Sequence, residues 1–282
     1  MRAVFMRESF ARRSVLFAGV ALAAFVASPT VRAGFGDDPA QREARWNDVA
    51  NAVFKDRVRQ NGDSVIALEA PPRAEDASLV PMTVTLLSPS ADGKAITGVY
   101  LIIDDNPSPV AAHFTFGPAA DPHEIKLRVR VNTYTNVHAI AETADGKLYE
   151  TAKYVKASGG CSAPMGMSDE EAMKGMGDMR LKFAEGAATG KPSGATLMVR
   201  HPNFNGMQMN QVTRDYTPAR YIQTINVSTG DQKVFDLQSD ISLASNPVIG
   251  FGLTPQGDVK VAVTDSEKGH WEQTFPGPQL SN

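Results

Sequence analysis

From residue 64 onward the chain alternates apolar and polar positions in short runs, the period-two pattern of half-buried β-strands. Seven such runs come first, at 65–68, 82–87, 96–103, 111–116, 124–131, 135–142 and 148–155. Turn-forming stretches separate them: Ala91-Asp92-Gly93, Asp105-Asn106-Pro107, Gly117-Pro118 and Asp145-Gly146. A second series follows at 179–183, 194–200, 221–228, 233–237, 247–253, 259–265 and 271–275, with turns at Ser228-Thr229-Gly230-Asp231 and Gln256-Gly257. Two sets of strands at this spacing predict an all-β protein made of two immunoglobulin-like β-sandwich domains in tandem.

The period changes in two places. Between 43 and 58, Trp46, Val49, Ala50, Val53 and Phe54 recur at intervals of three and four, which predicts a short amphipathic helix on the first sandwich. Between the two strand series, Ser168 stands three residues before Glu171, a capping box that opens a short linker helix. That helix would set Met173 and Met176 on one face, and Gly175 and Gly177 each weaken it by about 1 kcal/mol. The chain then divides into a leader at 1–33, a first sandwich at 34–157, a connecting segment at 158–177 and a second sandwich at 178–282.

The leader is read as a removable export signal. Arg2, Arg7, Arg12 and Arg13 form a positive region, 14–27 an apolar one too short to span a membrane, and Val31-Arg32-Ala33 a small-x-small cleavage site. Arg12-Arg13 before the apolar run also resembles a twin-arginine signal. A periplasmic location and a mature chain without a membrane span are expected. The 42% hydrophobic and 21% charged residues are those of a soluble globular protein. A net charge of −3 leaves no basic surface for a phosphate backbone, so nucleic acid is not an expected partner.

Export sharpens the meaning of Cys161, the one cysteine of the chain. A single cysteine in an oxidising compartment is a buried hydrophobe, an intermolecular link or a reactive thiol. Its neighbours, Ser158-Gly159-Gly160 before it and Ser162-Ala163-Pro164 after it, carry little apolar surface, and Gly-Gly maximises backbone freedom. They favour an exposed, mobile thiol, presented by Gly159, Gly160 and Ser162. Roughly 3% of an ordinary free cysteine is thiolate at pH 7, and Lys153 and Lys156 lie close enough in sequence to raise that fraction slightly.

Lys153-Tyr154-Val155-Lys156-Ala157-Ser158-Gly159-Gly160-Cys161 resembles the carboxy-terminal arm of SoxY, the subunit of the SoxYZ sulfur carrier whose Gly-Gly-Cys-Gly tail bears the substrate on its cysteine. The second half resembles SoxZ in the order of its landmarks: His201-Pro202 with Gly206, Pro218-Ala219-Arg220-Tyr221-Ile222, Val234-Phe235, Ser242 with Asn246-Pro247, then Asp265 and Trp271. The whole looks like the fused SoxYZ-like carriers associated with quinoprotein dehydrogenases. The resemblance implies a protein that is not an enzyme, binds no cofactor, and carries a persulfide or thiosulfonate on Cys161 for sulfur-oxidation enzymes or a quinoprotein dehydrogenase system. Two departures stand out: about 120 residues follow the cysteine, and Ser162 replaces the glycine expected after it. The arm is tethered at both ends, which limits its reach to that of a loop.

Other chemistries are less well supported by the residues. His113, His123, His138, His201 and His270 form no local motif with Cys161, so a cysteine hydrolase is not indicated. His113 and His138 fall within strands and are read as structural, as is His201 before Pro202, although it also matches a family landmark. Asp104-Asp105 before Asn106-Pro107 is read as a turn rather than an acid pair. Met165, Met167, Met173 and Met176, with Cys161 nearby, offer soft ligands of the kind that favour Cu(I), and give the competing reading of a copper-binding or accessory module.

Overall fold

The computed structural model describes residues 38–210 and 213–278. The export signal and its cleavage site lie outside the described residues. Among the described residues, sixteen strands and two helices follow in the order α1 (Pro39–Phe54), β1 (Arg59–Asn61), β2 (Ile66–Glu69), β3 (Val80–Leu86), β4 (Ser90–Ala91), β5 (Lys94–Ile103), β6 (Val110–Phe116), β7 (Glu124–Val129), β8 (Thr135–Thr143) and β9 (Leu148–Val155). Then come α2 (Asp169–Met173), β10 (Met179–Phe183), β11 (Ser193–Val199), β12 (Ile222–Thr229), β13 (Gln232–Ser239), β14 (Val248–Leu253), β15 (Val259–Asp265) and β16 (His270–Phe275). Every strand expected from alternation is present. Alternation does not reveal β1 and β4, which are too short to show a period.

The fold is the expected β-sandwich architecture, with a join that alternation does not encode. One sheet runs β1-β9-β8-β5-β6-β13-β12-β15-β16, with β4 beside β5, and the other runs β10-β11-β14-β7-β3-β2. Each sheet contains strands from both halves of the chain. The join in the larger sheet is the antiparallel pair β6 and β13, where Phe114 lies opposite Leu237 and Phe116 opposite Phe235. In the smaller sheet Gly250 of β14 pairs with Lys126 of β7, and a bridge between Val129 and Leu243 continues the seam. The buried faces form one apolar core across both halves, from Val65 to Val263. At the join, Phe235 meets Phe114 at 5.4 Å and Phe251 at 5.0 Å, both edge to face.

Alternation supplies that core directly: β3 and β15 bury every second residue, and their polar positions face out. Helix α1 covers the outer face of the larger sheet, packing Trp46, Ala50 and Phe54 on Ile102, Ile140 and Leu148. It starts earlier than its apolar spacing indicates because the Asp38 side chain accepts a hydrogen bond from the Ala40 amide at 3.0 Å, and Pro39 suits the first turn. It ends at Phe54, where Lys55 takes a positive φ. Helix α2 is capped as expected, with Ser168 Oγ accepting from the Glu171 amide at 3.2 Å. It spans only Asp169–Met173, so Met176 lies beyond it and the expected helical Met173/Met176 face does not form.

Candidate functional site

The cysteine segment leaves β9 and immediately docks. Lys156 pairs with the extended stretch at Arg73, and Ala157 is buried. The Gly159 amide then donates to the Asn132 carbonyl at 2.7 Å, and the Gly160 amide to the Val131 carbonyl at 3.2 Å. Ser162 closes a turn by donating its amide to the Gly159 carbonyl at 3.1 Å. From the other half of the chain, Asn205 donates its side-chain amide to the Cys161 carbonyl at 2.6 Å. Asn205 is itself held, its backbone amide donating to Gln208 Oε1 at 3.2 Å.

Cys161 is therefore not exposed: its relative accessibility is 0%. This corrects the expectation of an exposed thiol. The two glycines do different work from the one their sequence suggests. Gly159 has φ +74°, the left-handed conformation that glycine adopts at little cost. Gly160 lets two backbones touch, because a Cβ there would lie 2.0 Å from the Ala77 carbonyl oxygen and 2.5 Å from that of Val131. The residues that bury the sulfur are remote in sequence, and a reading of its neighbours has no means of finding them. Of the expected presenting residues, only Ser162 is exposed.

Burial pushes the Cys161 thiol up to about 11, and the nearby Arg130 guanidinium pulls it down only in part. The cation that acts on the sulfur is thus Arg130 rather than Lys153 or Lys156. At neutral pH the docked sulfur is a neutral thiol and a poor nucleophile. Arg130 follows β7 and is 1% exposed. Its Nη1 donates to the Leu243 carbonyl at 2.5 Å and the Ile241 carbonyl at 3.2 Å, and its Nε is buried without a hydrogen-bond partner. Burial lowers its pKa to about 10, and the Cys161 charge acts in the opposite direction. Asn106 braces this corner, donating to the Arg130 carbonyl at 2.7 Å and to Ser242 Oγ at 2.9 Å. The sequence pattern singles out neither Arg130 nor Asn205. On β7 alternation groups Arg130 with the outward Lys126 and Arg128, so no local signal marks it.

The remaining expected residues are placed as follows. Met165 and Met167 line a cavity of about 540 Å³ together with Met209, Gln208 and Thr217. Met173 and Met176 are not among its lining residues. Among the described residues no group of three or more His, Cys, Asp or Glu side chains is placed to hold a metal ion. Asp104 is more than a turn residue: it is buried and lies 3.2 Å from His138 Nε2, while Glu150 Oε1 lies 2.8 Å from His138 Nδ1. Trp46 stacks on the same ring at 3.6 Å. His113 stacks on Tyr100 at 3.8 Å, and His201 lies 3.4 Å from Asp265. None of these partners is Cys161.

The geometry defines a class first: a double β-sandwich with continuous sheets, whose seam shelters one cysteine on a loop held at both ends. The comparisons then give the family. The model of the sulfur oxidation protein SoxY matches residues 50–161, ending at the cysteine, and that of the sulphur oxidation protein SoxZ matches residues 179–276. Together they span most of the chain, which belongs to the SoxYZ-like proteins with both domains fused in one polypeptide. Among solved structures, the sulfur carrier protein SoxY from Chlorobium limicola f thiosulfatophilum is 28% identical, with a TM-score of 0.34 over 41% of this chain and 94% of that one. A β-glycosidase from Bacteroides vulgatus aligns at 8% identity and a TM-score of 0.24 over 76% of this chain, which spans 25% of its length. No curated protein matches the chain.

Proposed function

We propose that this protein is a non-catalytic sulfur carrier that holds a sulfur-containing group covalently on Cys161 and offers it to enzymes of sulfur oxidation in the periplasm. The observation that carries the reading is the position of Cys161: the SoxY match ends on it, and a dedicated socket built from both halves shelters it. A carrier has two opposing needs. Its thiol must be protected from stray oxidants, and it must also reach a partner's active site. The docked thiol meets the first need by burial and by its high pKa, since the thiolate is the reacting form. The second requires the loop to undock, and the few hydrogen bonds that hold residues 159–162 make local opening accessible.

Intact-mass analysis of the protein isolated from its native host tests the reading. Mass increments of sulfur or sulfur oxyanions that disappear with reductant, and are missing from Cys161→Ser, are expected. An unmodified chain in cells growing on reduced sulfur counts against it, as does stoichiometric copper lost on replacing Met165 and Met167. Fractionation of the host tests the location. Growth of a Cys161→Ser strain separates the partners: a defect on thiosulfate points to sulfur-oxidation enzymes, a defect confined to alcohols to a quinoprotein dehydrogenase.

A further inference from the structure

We propose that the Arg130 guanidinium is a positioning group that holds an oxyanion carried on Cys161 in the docked loop, so that docking depends on the charge of the group attached to the sulfur. The proposal rests on the carrier reading and adds to it a residue and a rule of selection.

The argument begins with a charge that lacks compensation. Arg130 is buried, its Nη1 is spent on two carbonyls, and its Nε has no hydrogen-bond partner. Among the described residues no carboxylate forms an ion pair with it, and the cysteine loop lies against the residues that follow it, the Gly160 amide donating to the Val131 carbonyl at 3.2 Å and the Gly159 amide to the Asn132 carbonyl at 2.7 Å, with Cys161 the group whose charge acts on it. A buried, unpaired cation is costly, and a neutral thiol does not offset that cost. An S-linked oxyanion such as a thiosulfonate, charged at neutral pH on oxygens beyond the sulfur, does so. Arg130 cannot follow the loop out, because its side chain is fastened to Ile241 and Leu243 in the second half of the chain. Arg130 therefore favours the docked loop when the sulfur carries an oxyanion; the thiolate is the opposite case, since burial outweighs the cation and holds the docked thiol at about 11. Beyond the cysteine, Ser162 and Pro164 are exposed, so the loop can yield outward to admit added atoms.

The test compares two adducts of the full chain. Tetrathionate supplies an anionic one: the Cys161 thiol loses its proton to solvent, its sulfur forms a new S–S bond to a sulfane sulfur, the central S–S bond of tetrathionate breaks and thiosulfate leaves. The cysteine is oxidised and tetrathionate is reduced. Methyl methanethiosulfonate supplies a neutral one: the same thiol forms a methyl disulfide, and methanesulfinate leaves. Amide hydrogen exchange at Gly159 and Gly160, whose N–H groups hold the loop down, reads docking directly. Exchange at least about tenfold slower in the thiosulfonate adduct than in the methyl disulfide is expected. In Arg130→Met the two adducts should exchange alike, and Arg130→Lys should restore part of the difference. Equal exchange of the two adducts in the unaltered protein overturns the proposal without any variant having to fold, as does a difference that survives in Arg130→Met. Failure here leaves the carrier reading standing, because that reading is decided by the native adduct on Cys161.

Discussion

Substitution Gly160→Ala separates a sheltered cysteine from a presented one. A methyl group at this position would lie 2.0 Å from the Ala77 carbonyl oxygen, far inside contact distance and against backbone that cannot turn aside. The loop should leave its socket, while the sheets beneath it keep their own hydrogen bonds. The thiol then loses the burial that holds its pKa at about 11 and returns toward the ordinary value near 8.5 to 9. At pH 8 a fall of about two pH units raises the thiolate fraction about a hundredfold. Because a less basic thiolate is also a weaker nucleophile, the net gain in attack on a disulfide is about tenfold. Relief of the steric block adds to this. The assay is the rate of reaction with an aromatic disulfide at pH 8, followed by release of the coloured thiol, beside a thermal melt to show that the sandwich is intact. An increase of tenfold or more with a nearly unchanged melting temperature is expected. A rate within about twofold of the unaltered protein would refute the reasoning, since an arm that is already presented gains nothing from the added methyl group except stiffness.

Three further outcomes follow from the packing. Phe235→Ala removes the ring that bridges Phe114 and Phe251, and should cost about 3–5 kcal/mol while calorimetry still shows one transition, because both sheets run through the join; two separated transitions would contradict that continuity. Burial lowers the His138 pKa, but its hydrogen bonds to the Asp104 and Glu150 carboxylates outweigh it and leave a raised value, so its contribution to stability is complete below about pH 6.5 and is lost as pH rises through the folded-state value; His138→Gln should flatten denaturant stability against pH in that window. Asp265 is the opposite case: burial raises its pKa, yet hydrogen bonds from Arg220, the Gly269 amide and His201 leave it lowered, so its contribution is present above about pH 4 and is lost as pH falls further. Asp265→Asn should cost about 3 kcal/mol at neutral pH and remove that acid limb, as read by urea melts at several pH values.

Much of the fold is legible in the chain because a sandwich strand advertises itself locally. Runs such as 80–86 and 259–265 bury alternate residues, and alternation is a nearest-neighbour property. The capping box of α2 is also local. The join of β6 with β13 is not, since it pairs residues more than a hundred positions apart and depends on two edges that each look complete alone. The site divides along the same line. The cysteine and its glycines are conspicuous, but their meaning comes from Ala77, Val131, Arg130 and Asn205, which are scattered over both halves. Gly-Gly before a cysteine reads equally as flexibility or as close approach, and only the carbonyls facing Gly160 decide between them.

If the loop visits partner enzymes as proposed, its two attachments set the shape of what it can enter. Cys161 lies four residues beyond buried Ala157, so even a fully extended chain carries its Cα no more than about 14 Å from that anchor. On the other side the chain must turn back toward Ser168 and α2. A free terminus can thread a narrow tunnel in single file, but a loop needs room for two strands side by side. Under the proposed carrier function, an enzyme that takes sulfur from this cysteine must therefore offer an open cleft, wide enough for a hairpin and shallow enough to be reached with the sandwich pressed against its rim.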